Sequence, residues 1–358
     1  MATLFDRLKV GQMELDNRMI MAPMTRSRAN HDGVQPAYAA EYYRQRGSAG
    51  LIITEATNIS PMAKGYIRTP GIYTEAQIKG WRPVSEAVHA RGGKIFMQLF
   101  HTGRVALPDF LPNHAQPVAP SAVRANGKNY TDTGMKEFVT PREITKEEIA
   151  HTIRDFGSAA RNAIAAGFDG VELHAASGYL VQQFLTTNVN LRTDEYGGSI
   201  ENRTRFLFEV LDEMAKEVGS QKVGVKFSPQ IPFNDIEERD ADEVYPYILE
   251  KLSHRSLAYV HVSVGMGAGW HWKLRPHYKG VYFAGASFTR ESGTELLANG
   301  GADAIVFGVK FLANPDLPDR FKRGAQLNEP DQPTFYSPGE RGYTDYPTLA
   351  QIREVVTA

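Results

Sequence analysis

His174, Ser177 and Tyr179 lie close together and are the residue types needed to activate a carbonyl and protonate a neighbouring carbon. An imidazole N–H and a hydroxyl can donate to one oxygen while a phenol delivers a proton. They follow or end the apolar run Gly170–His174, which reads as a strand running into a short turn. A histidine at a strand end can also serve only to satisfy nearby backbone carbonyls, so these residues alone leave both readings open. Other polar or titratable groups stand at the ends of other apolar runs: Thr25 after Ala22-Pro23-Met24, Glu55 before Ala56, Gln98 before Phe100, Lys226 before Ser228, and Lys310 after Gly308-Val309.

The elements carrying these groups are eight short runs: Arg18–Ala22, Leu51–Glu55, Ile95–Phe100, Gly170–His174, Val223–Ser228, Tyr259–Ser263, Val281–Ala284 and Ala304–Gly308. They are rich in Val, Ile and Phe and barely alternate, as parallel strands buried on both faces do. Amphipathic stretches fill most gaps, clearest over Thr74–Ala90, Lys146–Ala166 and Ser199–Val218. Thr145 with Glu148 forms a capping box, and Ser199 is an N-cap. Eight βα units predict a single (β/α)8 TIM barrel over residues 1–358, with an N-terminal hairpin; an open doubly wound sheet is the less favoured rival. In such barrels the loops after the strands build the active site, so the strand-end groups converge there.

Two stretches break the rhythm. Residues 104–141 are rich in Pro, Asn, Gly and Thr and predict a long excursion with a small hairpin. Between strands six and seven, GMGAGWHWKLRPHYKG holds Pro276 and four glycines and leaves little room for a full helix. Its Trp270, His271, Trp272 and His277 read as anchors of a surface loop, or less readily as the wall of a new pocket. The proline- and aromatic-rich segment from Asn328 to Pro347 can anchor across a cleft.

Composition narrows the function classes. The chain has 358 residues, a formal net charge of -1 and no basic cluster, which argues against nucleic acid and against a polybasic membrane surface. It has no cysteine, which removes disulfides, thiolate catalysis and Cys-ligated metals. The start lacks the apolar core of a signal peptide and no apolar run reaches membrane-spanning length, so the cytoplasm and small-molecule substrates are the expectation. No metal site is expected, and the oligomeric state is left open.

The strings APMTR, EYYRQRGSAGLIITEAT, QLFHTGR, AGFDGVELHAASGYLVQQFL, NLRTDEYGGSIENRTRF, FLANPDLPDRF and GYTDYP occur in order along essentially the whole chain. In this order the sequence resembles the Old Yellow Enzyme family, in particular its bacterial N-ethylmaleimide and pentaerythritol tetranitrate reductase branch. The resemblance implies FMN at the barrel mouth, NAD(P)H as reductant, and hydride transfer to an activated alkene with a tyrosine supplying the proton. It implies that Pro23, Met24 and Thr25 line the flavin ring, that Ala56 and Gln98 contact its pyrimidine side, and that Gly285, Gly308 and Val309 complete the cofactor set, with Gly308 offering backbone to the phosphate. His174 and Ser177 would bind the activating oxygen of the substrate, Tyr179 would be the proton donor, and Phe100 and Tyr343 would line the substrate pocket, with Tyr343 closing it. The string NLRTDEYGGSIENRTRF reads as architectural, a Gly-Gly turn and a helix start.

The sequence also departs from the family pattern. Ser177 stands where Asn or His is usual. Lys226 replaces the arginine beside the flavin, keeping the charge but losing the planar fork. Val309 replaces the cation on the phosphate, the loop after strand six is short, and Phe100 replaces a tryptophan. An FMN-dependent ene reductase is the first reading. A flavin-poor or flavin-free isomerase or cyclase using His174 and Tyr179 is the alternative, and a non-catalytic scaffold is the third.

Overall fold

The computed structural model describes residues 1–265 and 268–352. Eight parallel strands close on themselves: β1 Met19–Met21, β2 Leu51–Ile53, β3 Ile95–Phe100, β4 Gly170–His174, β5 Val223–Phe227, β6 Tyr259–Ser263, β7 Tyr282–Gly285 and β8 Ala304–Phe307. Each pairs with its successor, and β8 returns to β1. A closed ring leaves no open edge, which excludes the doubly wound alternative.

All eight expected strands are present, each within two residues of its expected bounds. The expected hairpins are present as well. Leu8–Val10 pairs with Met13–Leu15, and Lys128–Thr131 in the long excursion pairs with Gly134–Glu137. The three clearest helices are Glu75–His89, Lys146–Ala165 and Ile200–Val218. Thr145 and Glu148 bond reciprocally in the capping box, and the Ser199 side chain accepts from the Asn202 N–H.

A strand repeats its facing every second residue, so Phe96, Gln98 and Phe100 share one face of β3, as do Gly170, Glu172 and His174 of β4. The lower layer of the barrel is apolar. Ile20, Ile53, Phe96, Tyr259, Phe283 and Val306 pack together with Val10 and Leu15 of the N-terminal hairpin, which plugs that end. Two glycines make room for its rings. A Cβ on Gly170 would lie 2.3 Å from the Phe96 ring, and one on Gly224 would lie 2.4 Å from the Tyr259 ring. Above this plug the inward positions become polar: Gln98 lies level with Glu172 in the ladder, His174 with Lys226, and Lys226 with His261.

The segment between β6 and β7 forms a six-residue helix, Gly269–Leu274, then a short turn over Arg275–His277. Its Met266 and Gly267 lie outside the described residues. Trp270 meets the Tyr245 ring edge-on at 6.5 Å, and buried His271 pairs with the Tyr282 hydroxyl at 3.1 Å. The short loop is thereby anchored at Trp270 and His271, while its Ala268 and Trp272 line a cavity with Ala286 and Phe288. Among the described residues no helix is long and apolar enough to cross a membrane.

Candidate active site

Each barrel strand ends at one mouth, and there β4 turns sharply. Ser177 and Gly178 both take left-handed conformations, with φ 58° and 73°. The turn is pinned through its backbone. The Ser177 N–H donates to Ser228 Oγ at 2.8 Å, and its carbonyl accepts from Asn234 Nδ2 at 2.7 Å. A side chain on Gly178 would strike Asn234 and the Phe233 carbonyl. Buried Arg104 holds that opposing loop by donating to the carbonyls of Asn234 and Asp235 at 3.0 and 2.7 Å.

This turn delivers Tyr179 against His174, their rings edge-on with centroids 4.9 Å apart. Phe100 completes the cluster, 6.2 Å from the His174 ring and 5.4 Å from the Tyr179 ring. Ala56 belongs to the same buried group as Phe100 and Tyr179. Burial, with help from Lys226 and His261, pushes the His174 pKa well below its usual value, so its ring is neutral near pH 7. Its Nδ1 accepts from the Ala176 N–H at 3.3 Å, so the proton sits on Nε2 and that nitrogen is a donor. Burial raises the Tyr179 phenol well above 10, which keeps it protonated. Its hydroxyl donates to the Tyr66 hydroxyl at 3.0 Å.

Tyr179, Tyr66, Thr25, Tyr130, Phe233 and Tyr336 wall a cavity of about 510 Å³. Thr25 is the only one of the three expected flavin-lining residues of strand one in that wall; Pro23 and Met24 lie half-buried beside it. Gln98 and Glu172 lie deeper and are buried, with Gln98 Nε2 donating to Glu172 Oε1 at 2.7 Å. Half-buried Lys226 forms no ion pair among the described residues. A free cation, an amide and hydroxyl donors at the mouth of a closed barrel fit a flat polar ring carrying negative charge.

Three further expected residues are placed as follows. Tyr343 does not wall the cavity. It is fully buried, stacked on Tyr42 at 4.0 Å with Arg28 4.6 Å above its ring. Arg26 and Arg28 donate to carbonyls of Phe335, Gly339, Arg341 and Gly342, so Tyr343 anchors a tail whose Tyr336 and Pro333 reach the cavity instead. The hydroxyl of Ser177 makes no hydrogen bond to the described residues; its peptide carries the local contacts. Val309 is 46% exposed at the start of a five-residue helix. Gly308 before it is open, a Cβ there meeting only Met24 and Ala22 at 3.6 and 3.7 Å. The absence of a side chain at Gly285 has a packing cause, since a Cβ would lie 2.8 Å from Ser263 Oγ.

The sequence reading missed Tyr66, Phe233, Asn234 and Tyr336, which come from segments with no periodic signal, and Tyr130, which sits on the hairpin strand Lys128–Thr131 of the long excursion. It also missed Glu172 and His261, although their spacing by two from His174 and Ser263 places each pair on one strand face.

The buried histidines predict acid sensitivity. Burial lowers His101 to about 3 and His271 to about 4, and lowers His174 and His261 as well. In the unfolded chain a histidine titrates near pH ~6.5. Below that value the unfolded state binds protons that the fold refuses, so stability falls as pH drops from about 6.5 toward 4. His101 and His271 should each cost about 2 kcal/mol at pH 5 relative to pH 8. Urea unfolding midpoints at the two pH values check this, and equal midpoints would contradict it.

Residues 3–328 match the NADH:flavin oxidoreductase / NADH oxidase family. The chain is 44% identical over 360 residues to 12-oxophytodienoate reductase 1 of Oryza sativa subsp. japonica, covering 97% of this chain and 93% of that protein. It is 45% identical over 353 residues to a probable flavin mononucleotide-dependent alkene reductase of Leishmania infantum, covering 96% of each. The solved structure of morphinone reductase in complex with tetrahydroNAD matches with a TM-score of 0.93 at 45% identity over 98% of both chains. With its barrel closed, its strand-end groups gathered at one mouth and these likenesses along nearly its whole length, the chain belongs to the NADH:flavin oxidoreductase / NADH oxidase family, the Old Yellow Enzyme family that its motifs resemble.

Proposed function

We propose that the protein is an FMN-dependent NAD(P)H oxidoreductase that reduces activated alkenes such as enones. The observation that carries this reading is the pairing of neutral His174, an Nε2–H donor, with protonated Tyr179 beside a cavity that Thr25 also lines. FMN, when bound, would supply the redox chemistry, the relay of hydride from NAD(P)H to the alkene β-carbon. His174 Nε2–H binds the substrate's activating oxygen and polarises the double bond. Tyr179 gives its hydroxyl proton to the α-carbon, and the Tyr66 hydroxyl stands ready to donate to the phenolate left behind. Phe100 and the aromatic cavity wall exclude water and favour an apolar substrate body. Thr25 and Gln98 would hold the polar edge of the ring, and Lys226 would offset negative charge on it. Gly308 offers its backbone to the phosphate. The names of the relatives support redox chemistry over the isomerase or cyclase alternative.

A visible absorption spectrum, before and after incubation with excess FMN and gel filtration, tests the reading. A retained flavin band that bleaches with NAD(P)H and returns on adding an enone is the expected outcome. A protein that stays colourless would sink it.

Val309 leaves the phosphate end without a cationic side chain at that position. Val309→Arg should tighten FMN binding by roughly ten-fold, the lower end for a charge-assisted contact because the position is exposed and screened. Titration of flavin-stripped protein with FMN, followed by quenching of flavin fluorescence, reads this; an unchanged affinity would place the phosphate elsewhere.

A further inference from the structure

Beneath the cavity, four side chains from three neighbouring or facing strands form one buried hydrogen-bonded chain. Gln98 Nε2 donates to Glu172 Oε1 at 2.7 Å, Glu172 Oε2 meets His261 Nδ1 at 3.0 Å, and His261 Nε2 meets Ser263 Oγ at 3.1 Å. Gln98, Glu172 and His261 are at most 1% exposed. A carboxylate can only accept, so both of its neighbours must present N–H groups to it. That fixes the His261 proton on Nδ1 and leaves its Nε2 to accept from the Ser263 hydroxyl. It also fixes the Gln98 amide, which without a partner could rotate by 180° at little cost.

We propose that Glu172 is a positioning residue for the cofactor: held by His261 and Ser263, it commits one amide hydrogen of Gln98 and leaves that amide's carbonyl oxygen and second N–H to pair with the imide edge of the flavin pyrimidine. An imide edge alternates carbonyl, N–H, carbonyl, so an amide presenting an acceptor beside a donor matches it. A flipped amide would set N–H against N–H. The inference rests on the FMN reading above, and adds residues that touch neither the flavin nor the substrate.

The test uses the full chain stripped of flavin and titrated with FMN. Glu172→Gln replaces the carboxylate with an amide of the same shape that can donate toward Gln98, and so allows the flip. It should weaken FMN binding about ten- to a hundred-fold, the range for a mismatched buried hydrogen bond. Gln98→Ala should weaken it similarly, and adding Glu172→Gln to Gln98→Ala should cost less than about three-fold more, because residues acting through one another are not additive. Affinity of Glu172→Gln within two-fold of the unaltered protein overturns the proposal. So do losses that multiply in the double variant, which would indicate a general structural role. A second measurement needs no altered protein to fold: imidazole nitrogen NMR of the unaltered chain, with His261 assigned through its bonds to the sequentially assigned backbone resonances. The expected signature is a protonated Nδ1 and an unprotonated Nε2, and the opposite tautomer overturns the proposal. An unaltered protein that binds no FMN defeats the flavin reading and this inference together. FMN binding with the wrong tautomer defeats this inference alone.

Discussion

Tyr179→Phe should lower enone-dependent turnover by about 10²- to 10⁴-fold, the usual contribution of a positioned general acid. The substitution keeps the ring that packs edge-on against His174 and Phe100 and removes only the hydroxyl. The lost bond to Tyr66 should cost the fold about 1 kcal/mol, too little to unfold a domain of this size. The effect should be confined to one half of the reaction. Flavin reduction by NAD(P)H in the absence of an alkene should stay within about two-fold, because no proton from Tyr179 enters that step. Stopped-flow traces of flavin bleaching and recolouring separate the halves. Enone turnover within about three-fold of the unaltered enzyme would remove Tyr179 from the proton-donor role, and equal losses in both halves would point to a damaged cavity.

Lys226→Met should be the second large effect. Methionine has a similar length and fills the same space without the charge, so packing is largely retained. Removing a charge-assisted partner should weaken FMN binding by about ten- to a hundred-fold. It should also slow flavin reduction, since negative charge accumulates on the ring as hydride arrives. An internal control accompanies it. Lys226 is one of the causes that lower the His174 pKa, after burial, so in Lys226→Met that pKa should rise toward its ordinary value while staying depressed by burial. A pH titration of the His174 resonances reads that shift independently of flavin. Unchanged affinity would mean that Lys226 does not face the cofactor. An unchanged His174 titration would mean that the two groups are too far apart, or too well screened, to sense one another.

The departures from the family pattern do not act alike. At Ser177 the local hydrogen bonds run through the peptide, with Ser228 and Asn234 as partners, so the turn that carries Tyr179 is held without an asparagine or histidine side chain at that position. At Lys226 the charge survives on a side chain beside Glu172 and His174 that forms no ion pair among the described residues. At Val309 an exposed aliphatic side chain takes the place of a cation, and the cation of that short helix is the neighbouring Lys310, one position on. The short loop after β6 packs Trp270 on Tyr245 and His271 on Tyr282, and its Ala268 and Trp272 line a cavity with Ala286 and Phe288.

Much of this protein is determined by local sequence. Eight apolar runs of strand length separated by amphipathic stretches dictate the barrel, because each must bury both faces and only closure removes the edges. The capping box at Thr145 and the N-cap at Ser199 need only neighbours along the chain, and both formed as their spacing required. His174 and Tyr179 were legible because one turn brings them together whatever the rest of the fold does. What only the tertiary structure decided is which residues distant in sequence meet at the mouth. Tyr66 and Asn234 lie on segments without periodicity, and they reach Tyr179 and Ser177 because the loops after β2, β4 and β5 meet at one barrel mouth. Tyr343 went the other way: its motif pointed to the pocket, but the carbonyl bonds of Arg26 and Arg28 draw the tail down until the ring stacks on Tyr42 and Tyr336 takes the outer place. Hydrophobic periodicity encodes burial, and burial fixes the scaffold. The pairing of buried polar groups is set by three-dimensional adjacency, which no single stretch of this chain contains.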